Sequence, residues 1–298
     1  MKRIFLAVIL LFVLLAVGTP AGAFPRKSIP AKAAVVMDET GTVLFGKFPN
    51  ARLAPASTVK LVTAMVVLDR IDPKATTIVS RNAASVRSIE PRLFAEDLLT
   101  VSDLLHLALM KSVNSAAVAL AEAAAGSEKE FTALMNRKAV EIGATHTLFA
   151  NASGLPKGAQ YTTAGDLALI LKAALSYPLI KDILGCKTYV IRTEAGRFLL
   201  VENSNDMLWR YDNVIGGKTG YTGNARHCFV CAITTEKGPL YTAVLGARSR
   251  SALWNSTLLL EEIAVHQEQI SGRSRTMPVR PISTTSPLPV GRTLPLTF

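Results

Sequence analysis

Cysteine is scarce in this chain: Cys186, Cys228 and Cys231 make up the whole complement, too few for a disulfide framework. Cys228-Phe229-Val230-Cys231 has C-x-x-C spacing, but it lies inside an apolar, strand-like run. Residues three apart on a strand point to opposite faces, which argues against a redox pair or metal clip and for buried free thiols. The four histidines are scattered and offer no metal-ligand spacing, so neither a metal nor another cofactor is called for. Aromatic residues make up 6% of the chain and never interleave with a basic run, so nucleic acid is a poor partner. Acidic residues are short as well, 22 against 33 Lys and Arg, for a formal charge of +11. That excess suits an anionic polymer such as cell wall, or an anionic membrane surface.

Long hydrophobic runs are also missing, apart from Ile4 to Val17 near the start. Lys2-Arg3 precedes that run and Ala21-Gly22-Ala23 follows it, the pattern of a cleaved signal peptide over 1–23. The run is short for a membrane span, and no cysteine follows it to suggest a lipoprotein. An exported protein is therefore expected, in the periplasm or cell envelope, with about +9 once Lys2 and Arg3 are removed. At the other end, 267–298 holds five prolines with many Ser, Thr and Arg, a composition expected to stay disordered. It has no apolar face, so no stable C-terminal membrane anchor is evident. A catalytic domain over 24–266 remains.

Within it, Ala33 to Asp38 and Thr42 to Gly46 flank Glu39-Thr40-Gly41 as a hairpin. A helix follows from Ser57 and stops near Pro73. Leu98 to Ala125 reads as one helical block closed by Gly126, with further helices over 131–142 and from Thr163 to Ser176. Beyond Cys186 the pattern turns to strands, over 187–192, 198–201, 228–235 and 240–246, and a helix over 252–266 closes the chain. Strands at both ends around a helical block predict an α/β fold: an antiparallel sheet flanked by helices, with an inserted all-helical lobe.

Three short stretches carry the chemistry. Pro55-Ala56-Ser57-Thr58-Val59-Lys60 puts a hydroxyl and an amine one helical turn apart. Serine needs a base within hydrogen-bond reach to act as a nucleophile, and a lysine serves if burial and nearby positive charge lower its pKa. The same spacing also fits an N-capping serine followed by a surface lysine. Ser112-Val113-Asn114 adds a hydroxyl and a carboxamide in an apolar setting, where both need partners; helix capping would explain them equally. Lys218-Thr219-Gly220-Tyr221, after two further glycines, suits a strand edge that a substrate backbone approaches closely, or an ordinary Gly-rich turn.

In this order, S-x-x-K, S-x-N and K-T-G form the signature set of the penicillin-recognising serine enzymes. From about Ala33 to Glu262 the chain resembles the low-molecular-mass penicillin-binding proteins that are serine-type D-alanyl-D-alanine carboxypeptidases. The likeness extends to Asn114-x-Ala116-Ala117, Met135-Asn136, Gly154-Leu155 and Asn203-x-Asn205. The resemblance implies a β-lactamase/transpeptidase-like fold and a peptidoglycan stem peptide as substrate, with β-lactam antibiotics as inhibitors. It implies Ser57 as nucleophile, Lys60 as base, Ser112 as proton relay and Asn114 as a positioning group. Lys218 and Thr219 would recognise the terminal carboxylate, while backbone N–H groups of Ser57 and Tyr221, beside Gly220, would hold the oxyanion.

The chain departs from the family pattern in places. Val113 stands where Gly is common, and Asp69 where many relatives carry Glu. The family's carboxylate-binding arginine falls near Leu253, with Arg248 and Arg250 slightly earlier, and Arg250 is the expected substitute. A β-lactamase would share all three motifs, but 151–165 lacks the deacylating carboxylate of the commonest class, the first acid being Asp166. A DD-endopeptidase differs only in groove shape, and a silent wall-binding protein would have lost motif residues that are intact here.

Overall fold

The computed structural model describes residues 29–194 and 196–270; the expected signal peptide and the tail beyond Ile270 lie outside the described residues. Strands β1 (Ala33–Met37) and β2 (Val43–Lys47) form the expected hairpin. It turns where the Asp38 carboxylate accepts from the Thr40 and Thr42 backbone N–H groups, each at 2.9 Å. A 3₁₀ turn, Ala56–Val59, then feeds α1 (Lys60–Leu68). The helical lobe follows: β3 (Thr76–Ile78), α2 (Arg81–Ser85), β4 (Leu98–Thr100), α3 (Val101–His106), a π turn at Leu107–Lys111, α4 (Asn114–Ala125), α5 (Glu128–Glu141), α6 (Ala164–Ala174) and α7 (Pro178–Gly185). Strands β5 (Thr188–Arg192) and β6 (Phe198–Glu202), helix α8 (Asp206–Arg210), strands β7 (Val214–Thr222), β8 (Arg226–Thr235) and β9 (Gly238–Ala247), and α9 (Arg250–Ile270) complete the order.

The main sheet runs β2-β1-β9-β8-β7, antiparallel at every pairing. Because β1 pairs with β9, the two ends of the domain meet in one sheet and the lobe is an insertion between them. Alternation sorts each strand between two cores. Val35, Cys228 and Val230 face the large core shared with α1 and the lobe, while Val36, Phe229 and Cys231 face α9. The two cysteines therefore sit buried on opposite faces of β8, as their spacing requires. A sheet covered on both sides reads as near-continuous apolar sequence, which is what β8 and β9 are.

Three local expectations need correcting. Ser57 does not open the α-helix. It lies in the 3₁₀ turn, after Ala56 at a left-handed φ of 51°, and the turn is tightened by Thr58 Oγ1 donating to Pro55 O at 2.8 Å. Leu98 to Ala125 is not one helix. Thr100 and Asp103 form a capping box that starts α3 after a strand, and Ser112, at φ 69°, breaks the block again before α4. The closing helix runs on to Ile270, past the expected start of the tail at 267.

Candidate active site

The nucleophile turn is pressed between two segments. One is β7, the free edge of the sheet: a Cβ built on Gly220 would stand 2.9 Å from Ser57 N and 3.1 Å from Ala56 Cβ. The other is the loop after α5, where Gly154, at φ +82°, lies so close that a Cβ would come 1.9 Å from Ala56 O. Asn151 builds that loop. Its Oδ1 accepts from the Gly154 N–H at 2.6 Å and the Ser153 N–H at 3.2 Å, and its Nδ2 donates to Leu155 O at 2.8 Å. With its polar groups so occupied, a buried loop keeps its shape.

Lys60 has no solvent exposure. Its Nζ stands 2.9 Å from Ser57 Oγ, 2.7 Å from Asn114 Oδ1 and 2.6 Å from Ser153 O. Asn114 is itself anchored, donating through Nδ2 to Arg87 O at 2.8 Å, while its backbone N–H donates to Ser88 Oγ at 2.9 Å. Burial, and then the charge of Lys218, hold the Lys60 amine well below the ordinary lysine range. A neutral amine has two N–H donors and one lone pair. The Asn114 and Ser153 oxygens can only accept, so they take the two N–H groups. The lone pair is left for the one partner that owns a proton, Ser57 Oγ–H.

Lys218 does not meet the groove as expected. It too has no exposure, and its Nζ donates to Thr219 O at 2.9 Å. Burial brings its pKa down to about 7. Its neighbour Thr219 does line the groove, with Oγ1 2.8 Å from Ser204 Oγ. Ser204 sits in a turn built by Asn203 and Asn205, Asn205 capping α8. The groove, about 380 Å³, is lined by Ser57, Ser112, Asn114, Gly220, Tyr221 and Arg250 among others, and among the described residues no carboxylate lines it. The left-handed turn at Ser112 leaves its Oγ buried without a hydrogen-bond partner among the described residues.

The two candidate arginines part company. Arg250 opens α9 on the groove side, its Nη2 donating to Asp206 Oδ1 at 3.0 Å. Arg248 lines a separate cleft. Leu253, near which the family's arginine is expected, is 2% exposed in the groove wall. Asp166, the first acid after the lobe, is consumed structurally, accepting from His146 N at 2.8 Å and Thr147 Oγ1 at 2.7 Å.

Sequence reasoning missed Ser153, whose carbonyl holds Lys60, and Ser204, which orders Thr219. Asn151-x-x-Gly154 and Asn203-x-Asn205 were the available signals, since asparagines of this kind bond their own backbone and shape turns.

Residues 20–249 match the family described as D-alanyl-D-alanine carboxypeptidase. The chain is similar to the D-alanyl-D-alanine carboxypeptidase DacB2 of Mycobacterium tuberculosis, 37% identical over 72% of this chain and 74% of that one. It is similar to DacF of Bacillus subtilis, 34% identical over 73% of this chain but 57% of the relative, so it spans little more than half of that protein. A D-alanyl-D-alanine endopeptidase of Pseudomonas aeruginosa is 31% identical over 83% of this chain and 84% of its own. Among solved structures, the D-alanyl-D-alanine carboxypeptidase of M. tuberculosis superposes with a TM-score of 0.78 at 31% identity, covering 84% of this chain and 96% of that one. On this evidence the chain belongs to the serine-type D-alanyl-D-alanine carboxypeptidases, the low-molecular-mass penicillin-binding proteins, and has their β-lactamase/transpeptidase fold.

Proposed function

We propose that the protein is an exported cell-envelope enzyme that removes the terminal D-alanine from peptidoglycan stem pentapeptides through an acyl-enzyme on Ser57. The observation that carries this reading is the wiring of Lys60: a buried amine held well below the ordinary lysine range, whose only proton-bearing partner among the described residues is the Ser57 hydroxyl.

Ser57 Oγ attacks the carbonyl between the two terminal D-alanines while Lys60 takes its proton. Backbone N–H groups of Ser57 and Tyr221 receive the developing oxyanion. The amide bond breaks as a proton passes to the leaving D-alanine nitrogen, and Ser112, with its unpartnered Oγ beside the groove, is the relay. Asn114 holds Lys60 in register and meets the acyl amide. Thr219 and Arg250 meet the terminal carboxylate, and Lys218 acts through Lys60 by helping to lower its pKa. Water then releases the acyl group and restores Ser57. Penicillins, which mimic the D-alanyl-D-alanine unit, acylate the same serine. A groove without a carboxylate supports slow release of that adduct and speaks against a β-lactamase.

A fluorescent penicillin should label the wild type and not Ser57→Ala. Mass spectrometry of a pentapeptide incubated with the mature protein should show loss of one alanine. An unchanged pentapeptide at every pH, with cleavage of a cross-linked dimer instead, would favour the endopeptidase reading that the Pseudomonas relative raises.

A further inference from the structure

A second cleft, of about 690 Å³, lies at the start of β8, separate from the catalytic groove. Its walls come from four parts of the chain: the lead-in 29–32, the end of β2, the start of β8 and the end of β9. Each contributes one cation, respectively Lys32, Lys47, Arg226 and Arg248. Among the described residues no carboxylate lines the cleft and none forms an ion pair with these four. Lys47 is braced by donating to Ile29 O at 2.7 Å. Arg226 holds a left-handed φ of 61°, a conformation that costs a non-glycine residue energy and persists only where its surroundings impose it. Four like charges around one recess repel each other unless an anion enters.

We propose that this cleft binds phosphodiester groups of an anionic envelope polymer. Two guanidinium forks with two ammonium groups suit tetrahedral phosphate oxygens approached from several sides. The volume exceeds what a single ion needs and admits a short stretch of chain. A recess walled by charge receives a chain, whereas a bilayer meets a protein over a flatter face. Position adds a consequence. Arg226 pairs with Thr222, one step along the ladder from Tyr221 and His227 in the catalytic groove. Arg248 lies two residues before Arg250 of that groove. A polymer held here is gripped beside the hairpin that borders the catalytic groove, by residues that do not line that groove, so the enzyme is retained on the wall without occupying its own active site. Anion binding rests on the cleft, whereas the choice of an envelope polymer rests on the proposed export.

The test is fluorescence polarisation of a labelled poly(glycerol phosphate) oligomer titrated with the mature protein at low salt. Lys32→Gln/Arg248→Gln should weaken binding about tenfold or more, the scale of losing charge-assisted contacts. Lys129→Gln/Lys181→Gln, which removes the same charge from exposed positions elsewhere, should change it less than about twofold, since solvent screens distant charges. Penicillin labelling should persist in both variants and reports that each is folded. Should the first variant not fold, Arg226→Asn replaces it, asparagine tolerating the left-handed backbone. Three results overturn the proposal: no binding by the wild type, equal loss in the two double variants, or tighter binding to phosphatidylglycerol vesicles than to the oligomer with the same dependence on Lys32 and Arg248.

Discussion

A lysine without solvent contact carries its proton only at a high cost in desolvation, and two such lysines near each other raise that cost further. Lys60 and Lys218 are such a pair. Acylation by penicillin should therefore rise with pH as Lys60 loses its proton. Lys218→Met should move that limb to higher pH, because a nearby cation no longer opposes protonation of Lys60. An unmoved limb would mean that burial alone sets the Lys60 pKa. Lys60→Ala should slow acylation by about 10²- to 10⁴-fold, the usual range for removing a general base, and rapid acylation in that variant would remove Lys60 from the role. At the groove mouth, Arg250→Ala should cut kcat/KM about tenfold for a peptide with a free terminal carboxylate. An amidated peptide should barely respond, since it has no charge to lose; equal effects on both peptides would take Arg250 out of the site.

At the scale of elements, the site depends on two strained backbone segments, the Ala56–Ser57 turn and the Ser112 break, and on the loop that clamps the first of them. Gly154 is where that clamp touches, with left-handed φ and backbone too close for any Cβ. Gly154→Ala costs about 1–2 kcal/mol from conformation alone, and the clash with Ala56 O must also move the nucleophile turn. Both melting temperature and acylation rate should fall, whereas Gly126→Ala, left-handed but facing open space, should lower only the melting temperature. If Gly154→Ala lost stability and kept its acylation rate, the loop would be a scaffold without influence on Ser57. These segments were hard to see in the sequence because helical periodicity runs through them: the apolar spacing from Leu98 to Ala125 is nearly unbroken, and only Thr100-x-x-Asp103 marks a start within it.

For the whole molecule, the buried lysines make stability depend on pH with a definite sign. An unfolded lysine titrates near 10.4, whereas Lys218 in the fold titrates at about 7. Above pH 7 the unfolded chain thus binds more protons at this site than the native one, and stability rises with pH. Other buried groups bound the window. Glu261, pushed by burial up to about 7, works in the opposite direction below it. Cys228, pushed by burial up to about 11, does so above the ordinary thiol range. Chemical denaturation between pH 7 and 9 should therefore show increasing stability, and Lys218→Met should flatten the rise. A slope unchanged in the variant would assign it to other groups.

The sequence by itself determined the sheet with its inserted lobe, the three motifs and their order, and the separation of Cys228 from Cys231, because periodicity and spacing along a strand or helix turn are local properties of the chain. It also pointed to Arg250 through its position near the start of the closing helix. Only the tertiary structure decided how those pieces act. Lys218 and Thr219 are neighbours in sequence, yet strand alternation buries one in the core near Lys60 and leaves the other in the groove. Lys60 meets Asn114 from 54 residues away and Ser153 from 93. Those contacts form only when the lobe closes on the sheet, and burial, which pushes the lysine's pKa down and so lets it act as a base, is a property of that closure.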